Sequence, residues 1–222
     1  MLRMVKPTSP LSIGTWILSP FSALTTAAAA SGLTGIAPAL GRATGFGGAV
    51  LGGPMTTYTA VLVANTAVPA WHDAHRELPA VFAASSAAAV GGLGLLTAPV
   101  HENGPAARIG PAGATVELAA NAVMERRLGA IVGAKYRTGP AGACMTAARV
   151  LSALGVVGAL AGRRNRAAAA ASALALLGGS LATRFGIFLA GKASAADPRD
   201  TVVPQRARLD ARASVTSTSQ SA

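Results

Sequence analysis

The run LSIGTWILSPFSALTTAAAASG, from Leu11 to Gly32, contains no charged side chain. An α-helix rises ~1.5 Å per residue, so ~20 mostly apolar residues reach across the hydrocarbon core of a bilayer. Similar runs follow along the chain. Ala43 to Trp71 is also charge-free but longer than one crossing needs. Its Gly-rich start, Gly45 to Gly53, reads as a lead-in to a helix over roughly Leu51 to Trp71. Leu78 to Val100 makes a third run, and Ile109 to Met124 a shorter fourth with Glu117 at its centre. Ala141 to Gly162 encloses Arg149, and Ala167 to Gly191 encloses Arg184. The pattern predicts an all-α, multi-span transmembrane helix bundle of about six spans over residues 1–192. A polar, Ser/Thr-rich tail over 193–222 follows, expected to be disordered beyond about Arg208.

Composition agrees. Across 222 residues, 51% are hydrophobic and 12% charged, with a mean hydropathy of +0.47. A soluble domain carries about 25% charged residues. The net charge of +11 has a source other than nucleic acid, because Lys and Arg gather in the cytoplasmic loops that flank spans. Aromatics make up only 4%, too few for a base-stacking platform, and no nucleic-acid partner is expected. The single cysteine, Cys144, forms no internal disulfide and, with three scattered histidines, builds no metal centre. No covalently bound or metal cofactor is therefore expected. An apolar run after Arg3 and Lys6 is also compatible with a cleaved signal peptide, but its length, Pro20 and the later spans favour a first crossing.

The basic residues test the span count. With six spans, Arg3, Lys6, Arg76, Arg126, Arg127, Lys135, Arg137, Lys192, Arg199, Arg206, Arg208 and Arg212 share one side. Arg42, Arg108, Arg163, Arg164 and Arg166 share the other. Withdrawing the fourth span would spoil this bias. The expected location is the cell (plasma) membrane, multi-pass, with both termini cytoplasmic. The spans are rich in Ala, Gly, Ser and Thr. Gly48 with Gly52, and Gly158 with Gly162, have the spacing that lets helix backbones approach in lipid.

Polar groups inside spans are expensive, and so they are informative. Glu117, Asn121 and Glu125 follow at one-turn intervals and share a helix face. This stripe reads either as a proton-relay carboxylate or a group near a polar ligand, or as an internal ion pair with Arg184 or Arg149. Tyr58 and Asn65, seven apart, share a face of the second span. A phenol there can donate to a quinone carbonyl, or both residues can hold helices together. His72 and His75, in the most charged segment, lack a third good ligand and read as a polar loop capped by an interfacial Trp71.

Several blocks resemble the NrfD/polysulfide reductase membrane-subunit family. They are Thr8-Ser9-Pro10-Leu11-Ser12-Ile13-Gly14-Thr15-Trp16, Thr57-Tyr58-Thr59-Ala60-Val61-Leu62, Thr66-Ala67-Val68-Pro69-Ala70-Trp71-His72 and Arg76-Glu77-Leu78-Pro79. Further on come Val116-Glu117-Leu118-Ala119, Met124-Glu125-Arg126-Arg127-Leu128-Gly129 and Thr183-Arg184-Phe185-Gly186. The tail block Asp197-Pro198-Arg199-Asp200-Thr201-Val202-Val203-Pro204-Gln205-Arg206 completes the set.

The resemblance implies a quinone- or menaquinone-interacting, non-catalytic membrane anchor. Such a subunit sits beside an iron–sulfur subunit and a molybdopterin catalytic subunit in an electron-transfer complex of the polysulfide, formate or nitrite reductase type. It also implies that Tyr58 lies near the quinone head group, and the charge bias puts that position toward the outer leaflet. Asn65 and Glu117 join it as candidates for a quinone and proton path, and Arg184 as a possible ion-pair partner. In the family, Met1 corresponds to an internal position preceded by two spans that help form the quinone pocket, so the chain reads as an N-terminally truncated member. The competing expectations are a small multi-span transporter, for which inverted repeats would be the signature, and a non-functional anchor fragment.

Overall fold

A computed structural model describes residues 10–161, 165–206 and 209–210 of the chain. It is all-helical, with no strand among the described residues. The helices are α1 (Pro10–Thr34), α2 (Pro38–Ala64), a single turn α3 (Pro69–His72), α4 (Leu78–Thr97), α5 (Ala106–Arg127), α6 (Gly139–Ala161) and α7 (Arg166–Ala195). A 3₁₀ turn, Gly133–Tyr136, precedes α6. Residues 199–206 form a further helical stretch.

Six helices are long. Five of them (α1, α2, α4, α6 and α7) are long and apolar enough to cross a membrane. The remaining one, α5, is of similar length but carries Arg108, Glu117, Glu125, Arg126 and Arg127. Its membership of the bundle is secured by its neighbours, since it packs along α4 on one side and α6 on the other. The outer faces are apolar: Phe46 is 74% exposed and Val157 67%, a surface that suits lipid and not water. The protein is a multi-span membrane helix bundle.

The second helix differs from the expectation. It begins at Pro38 and ends at Ala64, so Gly45 to Gly53 is helix and no lead-in. In lipid the backbone must satisfy its own hydrogen bonds, and glycine stays helical where water would loosen it. The helix stops at Asn65, whose N–H still reaches Val61 O, and Pro69 then starts the short α3. A tight reversal separates α1 from α2, with Gly35 and Ala37 at positive φ (71° and 51°).

Small residues set the helix spacing, as lipid offers no hydrophobic drive for association. Gly91 on α4 meets the backbone of Gly110 on α5, and Gly113 meets the backbone of Ala84, Ala87 and Ala88. On α1 and α2, Gly48 faces Thr25 and Gly52 faces Phe21. Gly158 on α6 faces Ser172 on α7, while Gly162 lies outside the described residues. The result has two parts. Helices α4 to α7 form a well-packed block, and α1 with α2 forms a hairpin that joins the block mainly through α2 against α4.

The two ends of the bundle differ in charge. One end gathers the α2–α4 connection, the α5–α6 connection and the tail. There Arg127 grips Glu77 through two bonds of 2.5 Å and also donates to Asp73 O, and Lys135 bridges to Asp197 at 2.7 Å. At the other end Arg166 donates to the terminal carbonyls of α4, at Leu95, Leu96 and Ala98. The part of the tail that is described is therefore anchored, and Asp200 within it is buried. The expected disorder beyond Arg208 falls mostly outside the described residues.

Candidate functional site

The polar stripe on α5 points inward. Glu117, Asn121 and Glu125 are all buried. Glu125, nearest the basic end, has partners: Arg149 Nη2 on α6 donates to its carboxylate, and Arg137 Nε lies 3.4 Å from it. Arg137 also donates to the Glu125 carbonyl at 2.9 Å. Arg149 is thus engaged by Glu125 and not by Glu117. Close by, Tyr136 is fully buried and donates from its hydroxyl to Ala70 O at 2.8 Å. Burial foremost, and then the charge of Glu125, push the Tyr136 hydroxyl above its ordinary range.

Glu117 is different. It is 1% exposed, and among the described residues neither carboxylate oxygen has a hydrogen-bond partner. Thr183 on α7 and Ser85 on α4 are polar neighbours of its carboxylate, and the charge of Arg184 also acts on it. Both hydroxyls approach without closing a bond that meets ordinary geometry: Thr183 Oγ1 is itself unpartnered, and Ser85 bonds Ser180 at 2.7 Å. The buried Oδ1 of Asn121 also lacks a partner.

Arg184 sits mid-span on α7 and is half-buried. Its Nη2 donates to Ser86 Oγ at 2.9 Å, and its guanidinium stacks 5.0 Å from the centre of the Phe82 ring. Both anchors come from α4 and turn the charge toward a groove between the α1–α2 hairpin and the block. The groove measures about 860 Å³. Its walls are Phe21 and Thr25 of α1, Gly52 and Met55 of α2, and Ala83 and Val90 of α4, with Arg184 as the charged group. A guanidinium carries five N–H donors, and one is bonded to Ser86.

The other sequence candidates lie elsewhere. Tyr58 is half-buried and its ring fills the space a side chain at Gly14 would need, so it packs flat on α1 and is absent from the groove's lining. Asn65 caps the end of α2 and is exposed. Trp71 packs against α7, where its Nε1 donates to Ile187 O at 2.8 Å. His72 Nδ1 lies 3.2 Å from Ala64 O, and His75 Nδ1 lies 2.9 Å from His72 O. Of the four named candidates, the structure brings Glu117 and Arg184 into one region and leaves Tyr58 and Asn65 apart from it.

Sequence reasoning passed over Ser85, Ser86 and Thr183. The signal was available, because hydroxyls inside a span are polar groups that need partners, and Thr183 precedes Arg184 directly. Comparison of the chain with family models, with curated proteins and with solved structures returns no match.

Proposed function

We propose that this protein is a quinone-interacting, non-catalytic membrane subunit of an electron-transfer complex, with the head group held in the groove beside Arg184. One observation carries the reading. A guanidinium with unused donors faces an apolar groove at membrane depth, where a cation is costly unless a ligand or partner uses it. A quinone matches both halves of this surface, with carbonyl oxygens for Arg184 and an isoprenoid tail for the wall of Phe21, Met55 and Val90.

The resemblance to the NrfD/polysulfide reductase membrane subunits supports the same reading and supplies its context. An iron–sulfur subunit and a molybdopterin catalytic subunit would be the partners, and the plasma membrane the location. Both termini are assigned to the cytoplasm by the excess of Arg and Lys at the end that gathers Arg76, Arg126, Arg127 and Arg137. Tyr58 enters this reading as a wall behind α1, and Glu117 as a group one layer behind the groove.

The test is direct. Purified chain is extracted and its isoprenoid quinone quantified, for the native sequence and for Arg184→Gln. A hydrogen bond from a charged donor contributes ~1.5–3 kcal/mol, so retention should fall roughly tenfold to a hundredfold. Equal quinone content in both proteins, or none in either, overturns the reading.

A further inference from the structure

The unpartnered oxygens around Glu117 form a second centre within reach of the Arg184 charge, and none of their residues lines the groove. Both carboxylate oxygens of Glu117, Oδ1 of Asn121 and Oγ1 of Thr183 are buried with no hydrogen-bond partner among the described residues. They come from two helices, α5 and α7, and Ser85 of α4 closes the third side. Residues Glu117 and Asn121 are one turn apart on the same face, which stacks the amide oxygen above the carboxylate. Leaving such atoms empty in a low-dielectric core is costly, and an isolated ionised carboxylate is the costliest of them.

We propose that these oxygens bind one sodium ion. The donor set is a carboxylate, an amide oxygen and hydroxyls, all hard oxygen ligands, and no nitrogen, sulfur or second carboxylate takes part. One carboxylate charge matches one monovalent cation, whereas a divalent ion would leave positive charge in the hydrocarbon region. A proton satisfies one carboxylate oxygen and a neighbouring hydroxyl can donate to another, which still leaves Asn121 Oδ1 bare, but an ion of this kind engages all of them together. Of the neighbouring cations, Arg149 and Arg137 are engaged with Glu125, while Arg184, whose charge also acts on Glu117, donates to Ser86, stacks on Phe82 and lines the groove. The inference does not rest on the quinone reading, and its test involves no quinone.

A ligand that binds the folded state raises its stability by mass action. Thermal unfolding of the full chain in lipid nanodiscs is followed in sodium chloride and in choline chloride at equal ionic strength, over a neutral to mildly alkaline pH series. The expected result is a sodium-dependent, saturating rise in the midpoint that choline does not reproduce, with radiosodium binding at one site per chain. Thr183→Val and Asn121→Ala should each weaken binding at least about tenfold, the loss of one oxygen ligand. Glu117→Gln should abolish it. Equal midpoints and no radiosodium bound at any pH in the series mean that Glu117 holds a proton only, and they overturn the proposal. Sodium dependence that survives Glu117→Gln overturns it too, because the ion then binds elsewhere.

Discussion

The ring of Trp71 occupies the space that a β-carbon on Gly191 would need, and its Nε1 is tied to Ile187 O on the same helix. The short α3 is held against α7 by this contact. A second tie is the Ser194 hydroxyl, which accepts from Ala70 N at 3.2 Å. Any side chain at position 191 must displace an indole that is already hydrogen-bonded. Gly191→Val should therefore destabilise the bundle by ~1–3 kcal/mol, the usual cost of overpacking. Thermal unfolding in detergent checks this, and an unchanged midpoint would refute it.

Glycines that look alike in the sequence should behave oppositely. At Gly113 a β-carbon would strike the backbone of α4, which cannot swing aside. At Gly32, within α1, nothing lies within 4 Å. Gly113→Ala should lower stability and widen the α4–α5 crossing. Gly32→Ala should be neutral or stabilise by up to ~1 kcal/mol, the helix-propensity difference. Paired unfolding curves of the two variants decide it, and equal effects would defeat the packing argument.

Tyr136 offers a cleaner deletion. Removing its hydroxyl in Tyr136→Phe leaves Ala70 O buried without its donor. A loss of ~1–3 kcal/mol follows from stranding a buried acceptor, with the fold otherwise intact. The measured difference in unfolding free energy is the check.

The basic end should loosen in acid. Burial alone would raise the Glu77 carboxyl, but the hydrogen bond and charge of Arg127 outweigh it and hold the group below its ordinary value. Asp197 is held low by its hydrogen bond to Lys135. A depressed carboxylate contributes stability above its unfolded value and loses it as pH falls through the folded value. Lys135, raised by its hydrogen bond to Asp197, gives the opposite limb: that contribution holds below its unfolded value and fades as pH rises through the folded one. Protection of the backbone amides over 197–206, taken as exchange relative to the intrinsic rate at each pH, should be greatest between these limits and fall on acidification. In Asp197→Asn the acid limb should shrink, and a profile identical to the native one would contradict the assignment.

The bundle was legible because charge avoids hydrocarbon, which marks Leu11 to Gly32 and Leu78 to Val100 at once. That α5 belongs to the bundle was legible only indirectly, through the two-sided balance of Arg and Lys. The start of α2 was misread because glycine is a poor helix former in water, and the sequence alone does not state the solvent at Gly45 to Gly53. The stripe of Glu117, Asn121 and Glu125 was readable from helical period, as was its burial. Which arginine answers which carboxylate was not. That depends on helix rotation and crossing, set by contacts such as Gly91 against Gly110. The groove was equally hidden, since its lining is drawn from five helices and no single segment announces it.

The hairpin of α1 and α2 leans on the block through few neighbours, chiefly α4, and is linked onward by residues 65–68. The room beside Arg184 is therefore adjustable by tilting two helices, while the polar interior of the block stays as it is. A thinner or thicker bilayer would change that tilt, so occupancy of the groove should report on the thickness of the surrounding lipid.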